Sequence, residues 1–501
     1  MNWLKSLPLF VQLLAFSVIM MYLPMAFAIR LEDWDVARTF FYYTTFLLIL
    51  LTLVGIAVSG YASRNSARHY LLTAFGAFLT IPALLALPFT YLVPSITYFQ
   101  AYFEMLSSLT TTGATLFDDP SLVPAPLHMM RAIVGWIGGF FILVVAVSIF
   151  APLQIGGFEV FAASRTGQKS TTQIAKADAS KRLGRNAAQI FPVYVFVTAL
   201  LALCLLISGD RTLVAVSHAM SIISTSGISP VGGLQGASSG YAGEALMFFF
   251  LFFAVSRHSF FFGSDSEAFS NLKLDKEINL VLICITVIPV LLFIRHWSAA
   301  FEVSATDEAT SAIIALWGAI FTVLSFLTTT GFESDAWEGA QNWSGLGTTG
   351  IILMGLSIMG GGIATTAGGV KLLRVYALYK HGQREIERLS HPNSVASSSQ
   401  RVRMIRREGA QIAWIFLMLF VLSLAFVALA LAATGISFSD SLLFATAGLS
   451  NTGPLAHAAG ESFTGYANIS DTGKAILCVA MILGRLEALA VIAVLNPNYW
   501  R

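Results

Sequence analysis

The chain has 501 residues, of which 56% are apolar and only 11% charged, and its mean hydropathy is +0.75. Soluble domains carry about 25% charged residues, so this composition excludes a globule surrounded by water and makes lipid the solvent. The formal net charge of +2 is distributed over solvated, headgroup-facing loops, which gives no reason to invoke nucleic acid.

In chain order, apolar stretches occur around residues 7–28, 39–60, 71–92, 132–153, 187–208, 244–263, 278–294, 346–379, 411–434 and 474–495. Each can cross ~30 Å of hydrocarbon, so ten crossings are expected. The first begins with Lys5 and reaches Ala26-Phe27-Ala28, which imitates a cleavable signal, but its apolar run exceeds a signal core and is read as a retained helix. Lys5, Arg64, Arg68, Arg165, Lys169, Lys176, Lys181, Arg182, Arg185, Lys273, Lys276 and the run from Lys371 to Arg407 alternate with poorly charged loops. Roughly twenty of the basic side chains thus fall on one side, which positive-inside orientation makes the cytoplasm, with both termini there. Cys204, Cys284 and Cys478 all lie inside apolar stretches and are expected to pack as small hydrophobes without redox chemistry.

Four short polar segments interrupt this pattern: Thr110-Thr111-Thr112-Gly113, Ser224-Thr225-Ser226-Gly227, Thr328-Thr329-Thr330-Gly331 and Ser450-Asn451-Thr452-Gly453. Their glycines are 114, 104 and 122 residues apart, one unit length repeated. Each closes a half-length amphipathic stretch, at about 99–109, 213–223, 316–327 and 439–449, too short to span a bilayer. Extended polar backbone is forbidden against lipid because each unsatisfied N–H or C=O costs several kcal/mol, so each segment must line water or an ion path. A single such motif is ordinarily a helix cap or turn; four at matching positions describe a ring.

Glycine permits backbone angles that turn successive carbonyls toward one point, and the preceding hydroxyls add neutral oxygens. A dehydrated monovalent cation needs such an inventory. Half-helices entering from outside would aim their partly negative C-termini at the central cavity. None of the four segments contains Asp, Glu, Lys or Arg, which disfavours an anion pore and a carboxylate-ring divalent filter. Glu104 and His218 both stand nine residues before a filter glycine and are expected to orient pore helices by hydrogen bonds, whereas Trp136 and Tyr102 read as packing residues.

Residues 355–371 contain Gly360, Gly361, Gly362, Thr365, Thr366, Gly368, Gly369 and Lys371. Five glycines at ~1 kcal/mol each relative to alanine make a continuous helix improbable, so a break is expected; close packing of small residues is the alternative. A phosphate-binding loop is rejected because no Ser or Thr follows Lys371 and no strand precedes it. Arg485 is the one basic residue deep in the last span, where a charge costs at least ~2.5–3.5 kcal/mol. It should face the cavity or pair with Glu487 or Glu104, although residues two apart on a helix diverge.

These segments, with Tyr98-Phe99-Gln100-Ala101-Tyr102-Phe103-Glu104, Gly135-Trp136-Ile137-Gly138-Gly139 and Gly484-Arg485-Leu486-Glu487, resemble the Trk/Ktr/HKT superfamily of potassium transporters, most closely its bacterial TrkH-type pore subunit. The resemblance spans nearly the whole chain. It implies an all-α polytopic membrane protein: four pseudo-repeated helix, pore-helix, filter, helix units around one central pore, preceded by two extra transmembrane helices. The expected divisions are 1–65 for those two helices, then 66–160, 161–270, 271–390 and 391–501 for the repeats. In the superfamily the filter glycines mark potassium selectivity, a serine for the first accompanying sodium transport in some plant members. Here Thr225-Ser226-Gly227 departs from the more usual Thr-Gly-Gly, and Asn451 stands in the fourth filter. The resemblance also implies that residues 360–371 form a mobile gating loop beneath the filter, anchored by Arg485, which sets an electrostatic barrier. It implies a ring of cytosolic nucleotide-binding (TrkA-type) regulatory subunits docked on the basic loops, a homodimer with one pore per chain, and a place in the bacterial inner membrane. No cofactor is expected; potassium is the cargo.

Two other classes make different demands on the sequence. A symporter coupling potassium to sodium or protons needs intramembrane carboxylates, and the spans offer few besides Glu104 and Glu487. An intramembrane enzyme needs a nucleophile and base or a metal cluster, but His128, His218, His258 and His296 are scattered without a catalytic context.

Overall fold

The computed structural model describes residues 8–58, 67–151, 179–256, 276–299, 308–346, 349–390, 400–459 and 465–487. Every regular element among these is helical, as expected where lipid offers backbone groups no partner and helices satisfy them internally. Helices α1 (Leu9–Ile19) and α2 (Tyr22–Arg30) together form one crossing, interrupted at Met20-Met21. Pro24 in the first turn of α2 has no N–H to return to that turn, which accounts for the interruption. α3 (Trp34–Val58) crosses back.

Four units follow. Each has a leading span, a pore helix, a filter turn and a trailing helix. The leading spans are α4 (Ala67–Leu92), α7 (Ala179–Ile207), α10 (Lys276–Ala299) and α15 (Gln400–Ala432). The pore helices are α5 (Tyr98–Leu109), α8 (Thr212–Ser224), α11 (Glu308–Leu327) and α16 (Phe438–Ser450). The trailing helices are α6 (Ala125–Val145), α9 (Gly240–Leu251), α13 (Thr349–Met359) and α18 (Asp471–Leu486). Two short helices complete the set: α12 (Trp337–Ser344) precedes α13, and α17 (Leu455–Ala459) leaves the fourth filter. Beyond the glycine run, α14 (Leu372–Ser390) continues the third unit.

Hydropathy suggests ten crossings, but eight helices among the described residues are long and apolar enough, and one of those eight, Thr310–Leu327, belongs to the third pore helix. That helix is longer than the half-length segment expected at 316–327. The expected crossings 244–263, 346–379 and 474–495 fall on the trailing helices of units two to four, whose described parts are shorter or broken. α9 tightens into a 3-10 turn at Phe252–Ala254, α13 stops at Met359 where the glycines begin, and α18 stops at Leu486 before Glu487, whose φ is +62°. α6 instead runs on through a π-helical turn, Ala146–Phe150. The basic loop residues Arg165, Lys169, Lys176 and Lys273, like Lys5 and Arg64, lie outside the described residues.

Large apolar side chains such as Phe46, Phe196, Leu291, Phe426 and Leu429 are exposed on the outer helices, a surface that lipid would cover. The polar residues of the four signatures are buried instead, each 0–1% exposed. The distribution is that of a soluble protein reversed, with the apolar band outside and the polar axis at the centre.

Candidate filter and cavity

The same backbone closure ends all four pore helices. The residue after the last helical turn takes a left-handed conformation: Thr111 at φ +54°, Thr225 at +53°, Thr329 at +59° and Asn451 at +55°. The next N–H then folds back onto a carbonyl five residues earlier, Thr112 to Ser107, Ser226 to Ser221, Thr330 to Ser325 and Thr452 to Ala447, each at 2.9 Å. This is a Schellman closure, built on residues that carry a Cβ. One hydroxyl stabilises it in each repeat. Thr110, Ser224, Thr328 and Ser450 donate to carbonyls of Leu106, Met220, Leu324 and Thr446 at 2.7–2.9 Å. They also meet the hydroxyls of Thr112, Ser226, Thr330 and Thr452 at 2.8–3.2 Å. These four therefore support the turn.

The turns converge in cyclic order. A Cβ on Gly113 would lie 2.0 Å from the Ser226 carbonyl oxygen, one on Gly227 2.3 Å from that of Thr330, and one on Gly453 2.7 Å from that of Thr112. Gly331 closes the circle against the Pro454 ring, 3.1 Å away. Gly113, Gly227 and Gly331 have φ of +74°, +63° and +83°, so both backbone and space exclude a side chain. The fourth turn differs: Gly453 is not left-handed, its N–H donates to the Thr112 carbonyl at 2.6 Å, and the Asn451 amide donates to Thr112 Oγ1 at 3.0 Å. Pro454 and α17 follow immediately, and their helical entry replaces the extended exit of the other turns.

Position −9 from each glycine holds the chain that leaves the filter. The Glu104 carboxylate accepts from the Leu116 N–H and from Thr115 Oγ1 and pairs with Arg131 at 3.1 Å. His218 meets Ser229 Oγ at 2.9 Å. Thr322, which sequence reasoning passed over, accepts from the Ser334 N–H at 3.2 Å. In the fourth repeat Phe444 packs on Tyr466, with ring centroids 5.1 Å apart, and the Tyr466 hydroxyl donates to the Gly453 carbonyl at 2.8 Å. Glu104 and Arg131 are both buried. Removing Glu104 leaves a buried cation unpaired, so Glu104→Ala should destabilise the protein by ~3–5 kcal/mol, read as a fall in thermal midpoint in detergent, while Glu104→Gln should lose less.

Below the ring, residues 360–371 leave helical geometry, with positive φ at Gly360, Ala364, Gly369 and Lys371. The segment touches three pore-helix ends. Thr366 Oγ1 donates to the Ile223 carbonyl at 3.2 Å, the Gly368 N–H donates to Thr329 Oγ1 at 2.7 Å, and a Cβ on Gly368 would lie 2.0 Å from the Ser450 carbonyl. Glu277 at the start of α10 accepts from the Ile363 N–H at 2.9 Å, and Thr365 Oγ1 donates to the Gly362 carbonyl at 2.7 Å. Gly361 and Gly362 pack against the Ala254 and Val255 carbonyls. Arg485 Nη1 donates to the Thr366 carbonyl at 2.7 Å, and the ammonium of Lys371 to the Ala367 carbonyl. A cavity of ≈20 Å³, enough for one water, lies between this segment and α6, lined in part by Thr365, Gly368, Lys371, Arg485 and Glu487.

Neither carboxylate considered for Arg485 is bound to it: Glu104 pairs with Arg131 and Glu487 with Arg374 at 2.8 Å. Arg374 is fully buried, with its guanidinium 3.5 Å from the Phe416 ring centroid. Sequence reasoning missed Arg374, Glu244 and Glu277; the available signal was that each is an ionisable residue at the edge of an apolar run. Arg374→Ala would strand the buried Glu487 and should lower the thermal midpoint, a loss that Arg374→Lys restores only in part because it keeps the charge and loses the planar fork.

The comparisons agree with this architecture. A family model described as a cation transport protein, TrkH, matches residues 67–242 and 276–500. Related sequences include the Trk system potassium uptake protein TrkH of Vibrio parahaemolyticus, 27% identical over 414 residues and 81% of each chain. They also include TrkH of Escherichia coli, 28% identical over 425 residues, 83% of this chain and 82% of that one, and TrkG of Escherichia coli, 28% identical over 409 residues, 81% and 80%. The crystal structure of the potassium transporter TrkH from Vibrio parahaemolyticus superposes with a TM-score of 0.80 at 23% identity, covering 100% of both chains. That family consists of transport proteins and not enzymes. Four filter-bearing repeats, two preceding helices and the family match together place the chain in the TrkH family of cation transport proteins.

Proposed function

We propose that this protein takes up potassium through the ring formed by Thr111, Thr112, Gly113, Thr225, Ser226, Gly227, Thr329, Thr330, Gly331, Asn451, Thr452 and Gly453. The observation that carries the reading is the cyclic contact of the four glycine turns, each packed against the next, and the reading assigns one turn to each of the repeats 66–160, 161–270, 271–390 and 391–501. It is supported by relatives named as potassium uptake proteins. Membrane potential supplies the drive, about 2.3 kcal/mol per elementary charge per 100 mV. Residues 360–371 with Arg485 form the gate, because they occupy the path directly below the ring and are bonded to its supports. The basic cytoplasmic loops dock the TrkA-type regulatory ring, and the chain works as a homodimer in the bacterial inner membrane with both termini in the cytoplasm.

Ion replacement during single-channel recording in planar bilayers tests this reading. Potassium current should persist without sodium and without a proton gradient. Current that vanishes when either co-ion is removed would favour a symporter instead. The buried carboxylates Glu104, Glu244 and Glu277 accept from backbone N–H groups and Glu487 pairs with Arg374, so each of the four is already engaged by a partner within the protein.

A further inference from the structure

At the second position after each filter glycine stand Thr115, Ser229, Glu333 and Leu455, so the third repeat alone places an ionisable side chain there. The backbone around Glu333 is fixed on both sides. Before it, the Gly331 N–H donates to the Ser325 carbonyl at 3.3 Å. After it, the Ser334 N–H donates to Thr322 at 3.2 Å, Ser334 Oγ to Glu244 at 2.7 Å, and the Asp335 N–H to Glu244 at 2.7 Å. Glu244 also accepts from the Trp317 indole at 2.8 Å. The buried Glu244 thus uses all its reach on this turn, whereas the half-buried Glu333 carboxylate has no hydrogen-bond or ion-pair partner among the described residues. A carboxylate held rigidly two residues beyond a filter glycine and left unneutralised attracts cations to it.

We infer that Glu333 is an outer capture site for the incoming monovalent cation, delivering it to the ring of filter carbonyls two residues deeper. This rests on the proposed pore reading. Burial pushes the Glu333 carboxyl up to about 7, so it is charged in mildly alkaline medium and neutral in mildly acidic medium. Among the described residues, ionisable groups near this turn include Glu244, Asp335, Glu338, Tyr241, whose phenol interacts with Asp335 and Glu244, and His218, whose ring lies 5.4 Å from that of Phe332, with Asp118 and His457 on the segments that leave two other filter turns. Glu244 is fully engaged, Asp118 packs against Gly465, and burial holds His457 below the usual imidazole range, partly offset by Asp118, so it stays neutral near pH 7. Capture should therefore weaken as external pH falls through about 7.

The test is rubidium-tracer uptake into proteoliposomes of the full-length protein, measured at limiting and at saturating cation. At limiting cation, lowering external pH from about 8 to about 6 should cut uptake roughly three- to tenfold as the carboxylate protonates. Glu333→Gln should show the low rate at every pH, Glu333→Asp should retain the pH dependence, and all should reach the same rate at saturation, which establishes that the variants are folded. Equal limiting rates and equal pH profiles for Glu333→Gln and the parent would overturn this inference alone. A parent protein that carries no alkali cation at any pH would overturn the pore reading, and the inference with it.

Discussion

Gly113→Ser should reduce potassium uptake at low external potassium by at least ~10-fold, since the residue's positive φ alone costs a side chain ~1–2 kcal/mol. The steric demand adds to this. The new Cβ would sit 2.0 Å from the Ser226 carbonyl oxygen, a distance that forces one of two filter turns to retreat. Retreat moves oxygens away from the axis, so discrimination between potassium and sodium should fall along with the rate. Gly209→Ala separates strain from geometry: its φ is +102° but a Cβ there meets nothing within 4 Å. That variant should lose stability and keep selectivity. Growth of a potassium-uptake-deficient strain across a potassium series, with and without sodium, reads both outcomes. Normal selectivity in Gly113→Ser would mean that the first turn does not contribute to the filter.

The second large effect is expected at Arg485, and in the opposite direction. Its guanidinium holds the Thr366 carbonyl at 2.7 Å and places a positive charge, buried at 4% exposure, beneath the ring. A hydrogen bond to a charged group contributes ~1.5–3 kcal/mol, so under the proposed gating role removing it should shift the loop between obstructing and withdrawn positions by about 10- to 100-fold. Loss of the charge lowers the barrier to a cation as well. Both effects raise flux. Arg485→Ala should therefore increase regulator-independent potassium current at normal expression, and Arg485→Lys should fall between. Current equal to or below that of the parent, from an equal amount of folded protein, would remove Arg485 from the gate.

What the sequence made legible is the feature with a period. The four polar signatures interrupt apolar surroundings at similar intervals, and glycine followed by a tight approach leaves a residue-level trace at Gly113, Gly227 and Gly331. The break at 360–371 was legible for the same reason, since clustered glycines oppose helix formation. Other features leave no such trace. Left-handed Thr111, Thr225 and Thr329 run against local preference and are imposed by the helix closure and the packing around it. Gly453 departs from its counterparts because Pro454 and α17 redirect the chain. The pairs that fasten the cavity join residues far apart in sequence: Glu277 to Ile363 across 86 positions, Arg374 to Glu487 across 113. No periodicity connects such partners, so the sequence offers Arg485 the carboxylates of Glu104 and Glu487 although both are bound to other arginines. Three of the ten apolar runs, 244–263, 346–379 and 474–495, fall on trailing helices whose described parts are short or broken, because hydropathy sums apolarity over windows and does not register where helical geometry ends.

In the proposed pore, oxygens from all four repeats bind one row of dehydrated cations on a shared axis. Anomalous diffraction from crystals grown in rubidium or thallium tests it most directly. Peaks should lie on the axis between Gly113, Gly227, Gly331 and Gly453 and weaken in Gly113→Ser. Density confined to the outer surface, or bound by one repeat away from the other three, would contradict it.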